Sequence, residues 1–312
     1  MTSAVVFVMD DLAAIRPAKD TSFALMLEVQ RRGLPVWYAN EADLALEAGQ
    51  CKARLRRVRL HDRDSDWFEV VEQTRRPLAV GDLILMRCDP PVDDGYVFAT
   101  LMLERAQAAG ARVVNSPQAL LLFNEKLAIA RFDDLAPASR VSARAEDLLA
   151  FIEQHQRAVL KPLDGMGGQG IFLTARDDPN RNVIIETLTD HGRRPAMVQQ
   201  YLPEIADGDK RVLIVNGKPV EWMLARIPGS DDFRGNLARG GRGEGRPLGA
   251  AERRIAEHVG PVLLEHGIVF AGLDVIGDRL TEVNVTSPTC VRELDRQFDA
   301  NIAGQLFDAL LE

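Results

Sequence analysis

The chain of 312 residues has few residues of the kinds that build disulfide or zinc frameworks. It contains only three cysteines, Cys51, Cys88 and Cys290, and five histidines. The cysteines show no paired spacing and the histidines show no metal-ligand spacing, which argues against a disulfide scaffold and a structural zinc site. This cysteine usage is typical of a reducing compartment, and we interpret Cys88 and Cys290 as buried thiols without a chemical role.

Long apolar runs and an excess of positive charge are also missing. No apolar stretch approaches the length that spans a bilayer. The first ten residues contain a short apolar run without the basic segment of a signal peptide, so we interpret them as a first strand. The net charge of −8 argues against nucleic acid or an anionic membrane as the main partner. We therefore expect a cytoplasmic protein with no nucleic-acid and no membrane partner.

One basic run, from Lys52 to Arg63, could by itself suggest a site for a polyanion. Its charged residues alternate with apolar ones over most of its length, and Asp62, Asp64 and Asp66 accompany its end. Such alternation is typical of a strand with one solvated face, so we favour that interpretation.

The residues that are present have the composition of a soluble globular protein, with 46% hydrophobic and 27% charged residues. The first third alternates strand and helix patterns. The predicted strands are residues 4–9, 35–38, 83–86 and 112–115, and the predicted helices run from Thr21 or Ser22 to Gly33 and from about Tyr96 to Gly110. This alternation predicts an α/β domain with a mostly parallel sheet covered on both faces. The sequence Asn115-Ser116-Pro117 breaks the pattern, and we predict a domain boundary near residue 122.

In the remainder of the chain the patterns predict paired strands and one long helix. The predicted strands are residues 158–161, 171–174, 197–202, 210–215 and 218–224, and the predicted helix covers residues 251–266. Asn216-Gly217 is a strong hairpin turn signal. Residues 234–246 are rich in glycine and arginine and show no periodicity, so no regular structure is predicted there.

The turn pair Gly277-Asp278 lies between two short apolar runs, which predicts a hairpin. Glu282 and Asn284 share one face because side chains alternate along a strand. Asp274 joins that face only if the turn has three residues or the hairpin carries a bulge. In that register two carboxylates and an amide oxygen converge, a donor set that suits Mg²⁺ held together with substrate phosphates. The alternative is an exposed hairpin with its polar residues outside.

A glycine-rich segment offers a second candidate site. Gly165, Gly167 and Gly170 satisfy the dinucleotide-binding fingerprint, but that fingerprint requires a helix to follow, and residues 171–173 favour a strand. A glycine-rich loop between two strands can instead fold over a nucleotide and offer backbone N–H groups to its phosphates. Lys161 precedes the loop and could place its charge on an α- or β-phosphate. A glycine-rich hairpin with a surface lysine is the alternative.

These motifs together resemble those of the ATP-grasp ligases, in which a second lysine, here Lys126, precedes the flap. Finer strings resemble the prokaryotic glutathione synthetases and extend over nearly the whole chain. They are residues 124–126, 161–168, 207–211, 234–238 and 286–290, with residues 9–33 and 86–91 in the first third. The strings Arg-Gly-Asn-Leu-Ala and Thr-Ser-Pro-Thr-Cys are the most specific. Cys88 stands where the family has a basic residue, and Gln169-Gly170 replaces other small residues, which leaves open a small change in substrate or subunit contacts.

The resemblance implies a fold and an activity. The fold is an N-terminal parallel-sheet α/β domain, residues 1–122, followed by an α+β ATP-grasp domain, residues 123–312, with lobes of about 123–200 and 201–312. The activity is ATP-dependent ligation of γ-glutamylcysteine to glycine through an acyl phosphate, releasing ADP and phosphate, in a homo-oligomer. No side-chain nucleophile is needed, in agreement with the lack of a Gly-x-Ser-x-Gly string or a Cys/His pair.

The resemblance also implies three groups of site residues. Those that would hold ATP are Lys126, Lys161, Gly165, Met166, Gly167, Gly168, Gly170, Gln199, Gln200, Tyr201, Leu202 and Asp209. Those that would hold Mg²⁺, as two ions and with Mn²⁺ as a substitute, are Asp274, Glu282 and Asn284. Those that would act on substrate carboxylates and the transferred phosphoryl group are Arg211, Arg226, Arg234 and Asn236.

Several alternatives stay open at this point. The arginines, with Arg292 among them, could form ordinary surface ion pairs. Residues 234–246 could be an RNA-binding RGG-like tract, although the acidic chain and the lack of aromatic residues beyond Phe233 favour a lid that closes over an acyl phosphate. The function could be that of another ATP-grasp carboxylate–amine ligase or of a non-catalytic ATP-binding interaction module, which would more plausibly carry a damaged metal hairpin.

Overall fold

The computed structural model describes residues 2, 4–230, 232–235, 237 and 240–311. In this part of the chain the strands form three sheets, of seven, four and five strands. No helix among the described residues is long and apolar enough to cross a membrane.

The first sheet belongs to the N-terminal third. Its strands are β1 (Ala4–Val8), β2 (Val36–Ala39), β3 (Leu44–Glu47), β4 (Gln50–Leu60), β5 (Phe68–Pro77), β6 (Asp82–Met86) and β7 (Arg112–Val114). Their order is β3-β4-β2-β1-β6-β7, with β5 on the other edge of β4. Strands β2, β1, β6 and β7 pair in parallel, which confirms the parallel part of the prediction. Strand β4 is the basic run, which confirms the prediction of a strand with one solvated face there. The sequence patterns did not predict β3, β5 or the antiparallel pairing of both with β4.

Three helices accompany this sheet, α1 (Thr21–Arg31), α2 (Asp94–Ala108) and the short α3 (Pro117–Leu122). Asp20, rather than Thr21 or Ser22, is the N-cap of α1, because its Oδ1 accepts a hydrogen bond from the backbone N–H of Phe23 at 2.6 Å. Gly33, with a φ of 74°, follows the end of α1 as the sequence predicted.

The second sheet is small and antiparallel. It contains β8 (Ser139–Ser142), β9 (Arg157–Pro162), β10 (Phe172–Ala175) and β11 (Ala196–Gln200) in the order β10-β9-β11-β8. Helices α4 (Ala145–His155) and α5 (Arg181–Leu188) pack on it and form a core with Leu160 and Val198. Because side chains alternate along a strand, the neighbouring Lys161 and Gln199 point to the opposite face.

The third sheet carries the predicted metal hairpin. It contains β12 (Asp209–Val215), β13 (Lys218–Ile227), β14 (Arg242–Pro247), β15 (Phe270–Ile276) and β16 (Arg279–Asn284) in the order β14-β13-β12-β15-β16. The associated helices are α6 (Ala250–Glu265), α7 (Val291–Phe298) and α8 (Ile302–Leu311). Strand β14 corrects the expectation of no regular structure in residues 234–246. Its glycines and arginines give no alternating apolar signal, and the strand is held by backbone pairing with β13.

The core of the molecule joins the first and third sheets. Phe23 and Leu25 of α1 lie in one buried cluster with Leu306 and Phe307 of α8, and the same cluster contains Leu213 of β12. The N-terminal part and the C-terminal sheet therefore bury apolar surface against each other, whereas the second sheet has a small core of its own.

Candidate active site

A cavity of about 290 Å³ lies between the second and third sheets, and Asp89 and Pro90 of the N-terminal part close one side. All the predicted site residues line it except Gly170, which belongs to the glycine-rich loop but not to the wall, and Asn236, which lies outside the described residues. Residues that are far apart in the sequence, from Lys126 to Asn284, thus lie together around one cavity.

A bulge sets the register of the hairpin formed by β15 and β16. The turn has two residues, and Val275 pairs with Leu280, but Asp274 pairs with Glu282, so Thr281 is the extra residue. The hydroxyl of Thr281 donates to the carbonyl oxygen of Asp274 at 3.1 Å. Directly paired residues point to the same face, so the bulge brings Asp274 to the side of Glu282. The sequence left open a three-residue turn or a bulge as the way to bring Asp274 to this face, and the structure has the bulge.

Two cross-strand pairs put arginines beside carboxylates on the cavity wall. Arg211 on β12 is paired with Asp274 on β15, and Asp209 is paired with Arg226 on β13. The Nε and Nη2 atoms of Arg211 donate to Asp274 Oδ1 and Oδ2 at 2.6 and 3.2 Å. Arg226 Nη2 contacts Asp209 Oδ2 at 2.5 Å and Asp274 Oδ1 at 2.9 Å. All four side chains are buried or nearly so, which excludes ordinary surface ion pairs here.

The two carboxyl groups have opposite pKa shifts. Burial raises the pKa of Asp274, but Arg211 and Arg226 outweigh it and hold that pKa well below its usual range. Burial raises the pKa of Asp209 to about 6, although Arg226 opposes this rise, and the charge of Asp274 adds to it. Of these two carboxyl groups, Asp274 is therefore the one that keeps its negative charge.

The two predicted lysines are both buried in the cavity. Lys126 Nζ donates to the carbonyl oxygen of Gly165 at 2.6 Å and to Glu282 Oε1 at 3.1 Å. Lys161 Nζ donates to Gln199 Oε1 at 2.8 Å. Burial lowers the pKa of Lys161, with Glu282 opposing this, whereas Glu282 and Glu125 outweigh burial at Lys126 and raise its pKa. Two buried ammonium groups in one cavity favour an anionic ligand.

Unpartnered polar atoms provide a test of whether the cavity fits a ligand. Gln199 Nε2 and Asp209 Oδ1 are buried and have no hydrogen-bond partner among the described residues. Such atoms are rare in folded proteins unless a ligand or water satisfies them. Among the described residues, no three His, Cys, Asp or Glu side chains are grouped as a metal site. The protein thus offers a cation two carboxylates and an amide, a set that would need further oxygens from a ligand.

The glycine-rich loop and the arginine-rich segment touch each other. Gly167 and Gly168 have φ of 58° and 77°, a region that favours glycine. A Cβ on Gly165 would lie 2.8 Å from Pro162 Cγ. Arg234 Nη1 donates to the carbonyl oxygen of Gly168 at 2.7 Å, and Arg234 also forms an ion pair with Asp232. Arg292, by contrast, pairs with Asp62 at 2.6 Å and does not line the cavity.

Sequence reasoning missed Glu125 as a site residue. Its buried Oε1 accepts hydrogen bonds from the backbone N–H of Val285 at 3.2 Å and from the N–H and hydroxyl of Thr286 at 3.3 and 2.7 Å. The carboxylate therefore joins the Lys126 segment to the end of β16. Its place in the string of residues 124–126, beside Lys126, was the available signal. Ser287, Thr289 and Cys290 also line the cavity. All three cysteines are free and buried, which confirms that Cys88 and Cys290 are buried thiols.

Comparison with known proteins yields two matching family profiles. Residues 4–120 match the profile described as prokaryotic glutathione synthetase, N-terminal domain, and residues 125–299 match prokaryotic glutathione synthetase, ATP-grasp domain. A curated relative from Xanthomonas campestris pv. campestris, called glutathione synthetase, is 53% identical over 310 residues, 99% of this chain and 98% of the relative. A relative of the same name from Escherichia coli is 52% identical over 303 residues, 97% of this chain and 96% of the relative.

Solved structures show the same fold at low sequence identity. The D-cycloserine synthetase DcsG is 14% identical with a TM-score of 0.66, and 98% of each chain is covered. The ATP-grasp ligase PsnB, in a complex with a precursor peptide and AMPPNP, is 19% identical with a TM-score of 0.62 over 100% of this chain and 98% of PsnB. At these identities the likeness concerns the fold alone.

Proposed function

The chain belongs to the prokaryotic glutathione synthetase family of ATP-grasp ligases, and we propose that its cavity carries out the ATP-dependent ligation of γ-glutamylcysteine to glycine. The single observation that carries this proposal is that the predicted residues line one cavity in a chain 52–53% identical to curated glutathione synthetases over nearly its whole length. The alternatives of a different carboxylate–amine ligase and of a non-catalytic module are not favoured, because the two curated relatives described above, at 52–53% identity, are both called glutathione synthetase.

ATP is the first ligand that the cavity would accommodate. Lys126 and Lys161 supply two buried positive charges for the α- and β-phosphates, and the backbone N–H groups of Gly165 to Gly168 can approach the phosphates without side-chain obstruction. Gln200, Tyr201 and Leu202 would surround the adenine. The unpartnered Gln199 Nε2 is a free donor beside them, so it would donate to the nucleotide.

A divalent cation would complete the phosphate site. Asp274, Glu282 and Asn284 would hold Mg²⁺, or Mn²⁺ in its place, and two such ions would neutralise the charge of the transferred phosphoryl group. The residues present fit this role as far as their donor atoms go. Asp274 Oδ2 accepts one hydrogen bond, from Arg211, and a carboxylate oxygen has two lone pairs. Asp274 Oδ2 can therefore keep its hydrogen bond from Arg211 and still offer a lone pair to a cation.

The reaction follows from positioning and charge neutralisation. The cysteinyl carboxylate of γ-glutamylcysteine attacks the γ-phosphorus of ATP, which forms an acyl phosphate and releases ADP. The amine of glycine then attacks the acyl carbon, the amine loses a proton, and inorganic phosphate leaves as the amide bond forms. Arg211, Arg226 and Arg234 would orient the anionic groups, and Asn236 is proposed to assist them. Contact between Arg234 and the Gly168 carbonyl would close the cavity and exclude water.

Phosphate release tests the proposal. The protein is incubated with ATP and Mg²⁺ and with γ-glutamylcysteine, glycine or both. We expect phosphate release only when both are present, with glutathione detected by its mass. Binding of ATP without release in any combination would contradict the proposed function and would favour a non-catalytic module. Release with a different acid and amine pair would identify another ligase.

Two further properties belong to the same proposal. We propose that the protein acts in the cytoplasm, since its three cysteines are free. We also propose that it is a homo-oligomer, as the resemblance implies. Analytical ultracentrifugation of the purified protein measures the latter directly.

A further inference from the structure

The segment from Glu125 to Leu135 runs along the edge of β16 that faces away from β15. Strand β16 is the last strand of its sheet, so the N–H groups on this edge have no partner strand. The N–H of Leu280 donates instead to the carbonyl oxygen of Leu135 at 2.9 Å. The N–H of Val283 donates to the carbonyl oxygen of Glu125, also at 2.9 Å. The segment therefore satisfies backbone groups of the hairpin that carries the proposed metal ligands.

Glu125 extends this pairing past the end of β16 with its side chain. Outward N–H groups alternate along a strand, so Val285 presents the next one after Val283. The carboxylate oxygen Oε1 of Glu125 accepts this N–H at 3.2 Å, and it also accepts from the N–H and hydroxyl of Thr286 at 3.3 and 2.7 Å. One residue, through its carbonyl and its carboxylate, thus holds the backbone on both sides of Asn284.

The two neighbours of this carboxylate in the sequence contact the glycine-rich loop. Asn124 Nδ2 donates to the carbonyl oxygen of Leu163 at 2.9 Å, and Asn124 Oδ1 accepts from the N–H of Lys126 at 3.1 Å. The ammonium group of Lys126 contacts both the carbonyl oxygen of Gly165 and the carboxylate of Glu282. Three consecutive residues thus connect the loop proposed to hold the phosphates with the hairpin proposed to hold the cation.

Glu125 is buried, and among the described residues only Oε1 of its carboxylate accepts hydrogen bonds. We propose that Glu125 is a positioning residue of the ligation. It fixes Asn284 relative to Lys126, so that the cation and the phosphates of ATP are held in one arrangement; this role rests on the proposed function of the cavity. Loss of a group that orients a metal ligand typically weakens metal binding roughly 10- to 100-fold.

Binding of Mn²⁺ to the protein saturated with AMPPNP tests this role without catalysis. Electron paramagnetic resonance measures free Mn²⁺ and gives the dissociation constant and the number of ions per chain. Glu125→Ala removes the acceptor for three donors, and we expect the dissociation constant to rise about 10-fold or more. Glu125→Gln keeps an oxygen for the same donors, and its amide nitrogen replaces an oxygen that has no hydrogen bond to lose. We expect the constant of this conservative variant to rise less than about threefold.

Loss of stability cannot imitate this result. A smaller folded fraction lowers the number of ions bound per chain and kcat, but it leaves the dissociation constant and the Mg²⁺ concentration for half-maximal activity unchanged. Asp82→Asn is the matched control, because Asp82 is a buried carboxylate in β6 that accepts from the N–H of Ala79 and from Arg76. Asp82 lies outside the cavity wall, so both constants should stay at their wild-type values.

Thr286→Val removes one donor and gives a milder test, with an expected rise of about threefold or more. Because it acts through Glu125, it should add nothing to the effect of Glu125→Ala in the double variant. An unchanged constant in Glu125→Ala, or in Thr286→Val if Glu125→Ala does not fold, would overturn the proposal.

Equal losses in Glu125→Gln and Glu125→Ala would also overturn it, because the charge would then matter and the hydrogen bonds would not. A wild type that binds no Mn²⁺ with AMPPNP would overturn the metal role and this proposal together. A wild type that binds Mn²⁺ but forms no glutathione would overturn the proposed function alone.

Discussion

Asp274 and Glu282 face each other in the hairpin, but they have different neighbours. Asp274 is buried and is held by Arg211 and Arg226, whereas Glu282 contacts Lys126 and keeps part of its side chain exposed to the cavity. A carboxylate held by two arginines has little freedom to move. Glu282 is therefore the ligand that can adjust to a cation and to phosphate oxygens.

We expect Glu282→Gln to remove most of the turnover. The amide keeps the shape of the side chain but loses the negative charge that a divalent cation requires, so kcat should fall about 100-fold or more. The melting temperature should change little, because Glu282 is partly exposed. Steady-state kinetics over a range of Mg²⁺ concentrations measures the effect, and Glu265→Gln, an exposed change in α6, is the control. Near-wild-type turnover would contradict the proposed metal role.

Glu28 provides a pH-dependent contribution to stability. It is buried in α1, and its carboxylate accepts hydrogen bonds from Arg31 Nε at 2.6 Å and from Arg32 Nε at 2.6 Å. Hydrogen bonding to Arg31, and then to Arg32, outweighs burial and lowers the pKa of Glu28 below its ordinary value of 4.5. An acid whose pKa is lower in the folded state stabilises the fold above its ordinary pKa and loses this effect as the pH falls.

We therefore expect Glu28→Gln to destabilise the protein at pH 7 by about 1.5–3 kcal/mol, the scale of hydrogen bonds to a charged group. The difference from wild type should begin to shrink as the pH falls below 4.5, because the unfolded wild-type chain then binds a proton at Glu28, and it should vanish below the lowered pKa of the folded state, where the carboxyl is neutral in both states. Urea unfolding at several pH values measures both free energies of unfolding. Glu257→Gln, at an exposed position of α6, should show no such trend. A difference that is constant with pH would rule out the linkage.

Among the elements, those with local signals were predictable and those with distant partners were not. The hairpin turn at Gly277-Asp278 and the strands around the glycine-rich loop were predicted from neighbouring residues, and the structure confirms them. The bulge at Thr281 was left as one of two possibilities, since a ladder register depends on the partner strand. Strand β14 was missed because backbone pairing with β13 leaves no apolar pattern. The candidate site followed the same rule: Lys126 was assigned a role, whereas Glu125 was only part of the string of residues 124–126, because its hydrogen-bond partners Val285 and Thr286 lie far along the chain.

Asn115 shows how a distant contact holds the metal hairpin. Its Nδ2 donates to the carbonyl oxygens of Phe270 and Val285 at 2.7 and 2.8 Å. Its Oδ1 accepts from the N–H groups of Val269 and Phe270 at 2.9 and 3.0 Å. Glu125 accepts a hydrogen bond from the N–H of Val285, and Asn115 donates one to its carbonyl oxygen. Side chains from outside the hairpin therefore hold both backbone groups of Val285, the residue that follows Asn284.

We expect Asn115→Ala to lower the free energy of unfolding by about 2–4 kcal/mol, because four buried backbone groups lose their partner. The variant should also need a higher Mg²⁺ concentration for half-maximal activity, since the end of β16 is less fixed beside Asn284. Asn115→Asp keeps an oxygen that accepts from the N–H groups of Val269 and Phe270 but lacks the Nδ2 donor. It therefore separates the loss of the bonds to the two carbonyl oxygens from the loss of the bonds to the two N–H groups. Asn180→Ala, at an exposed helix cap, is the control. An Asn115→Ala variant with normal stability would show that water replaces the amide at no cost.

At the scale of the whole molecule, the N-terminal part and the third sheet are interlocked. Arg87 Nη2 donates to the carbonyl oxygen of Pro288 at 3.0 Å, and the N–H of Val291 donates to Thr21 Oγ1 at 3.3 Å. Arg112 Nη1 donates to the carbonyl oxygen of Leu310 at 2.6 Å. The residues on the two sides of the proposed boundary near residue 122 thus contribute to one common hydrophobic core. The sequence patterns did not predict this, because α8 and α1 are almost the full chain length apart.

Because the cores are shared, we expect the N-terminal part and the third sheet to unfold together. Trp37 lies in β2 and Trp222 lies in β13, so variants that retain only one of them, with phenylalanine at the other two tryptophan positions, report on the two regions separately. Their fluorescence midpoints in guanidinium chloride should coincide. Mg²⁺ and AMPPNP should raise both midpoints equally, since a ligand bound only by the folded state stabilises every region that unfolds with its site. Two distinct midpoints, or a ligand shift at Trp222 alone, would mean that the N-terminal part folds independently and that the contacts of Arg87, Arg112 and Val291 form after both regions are folded.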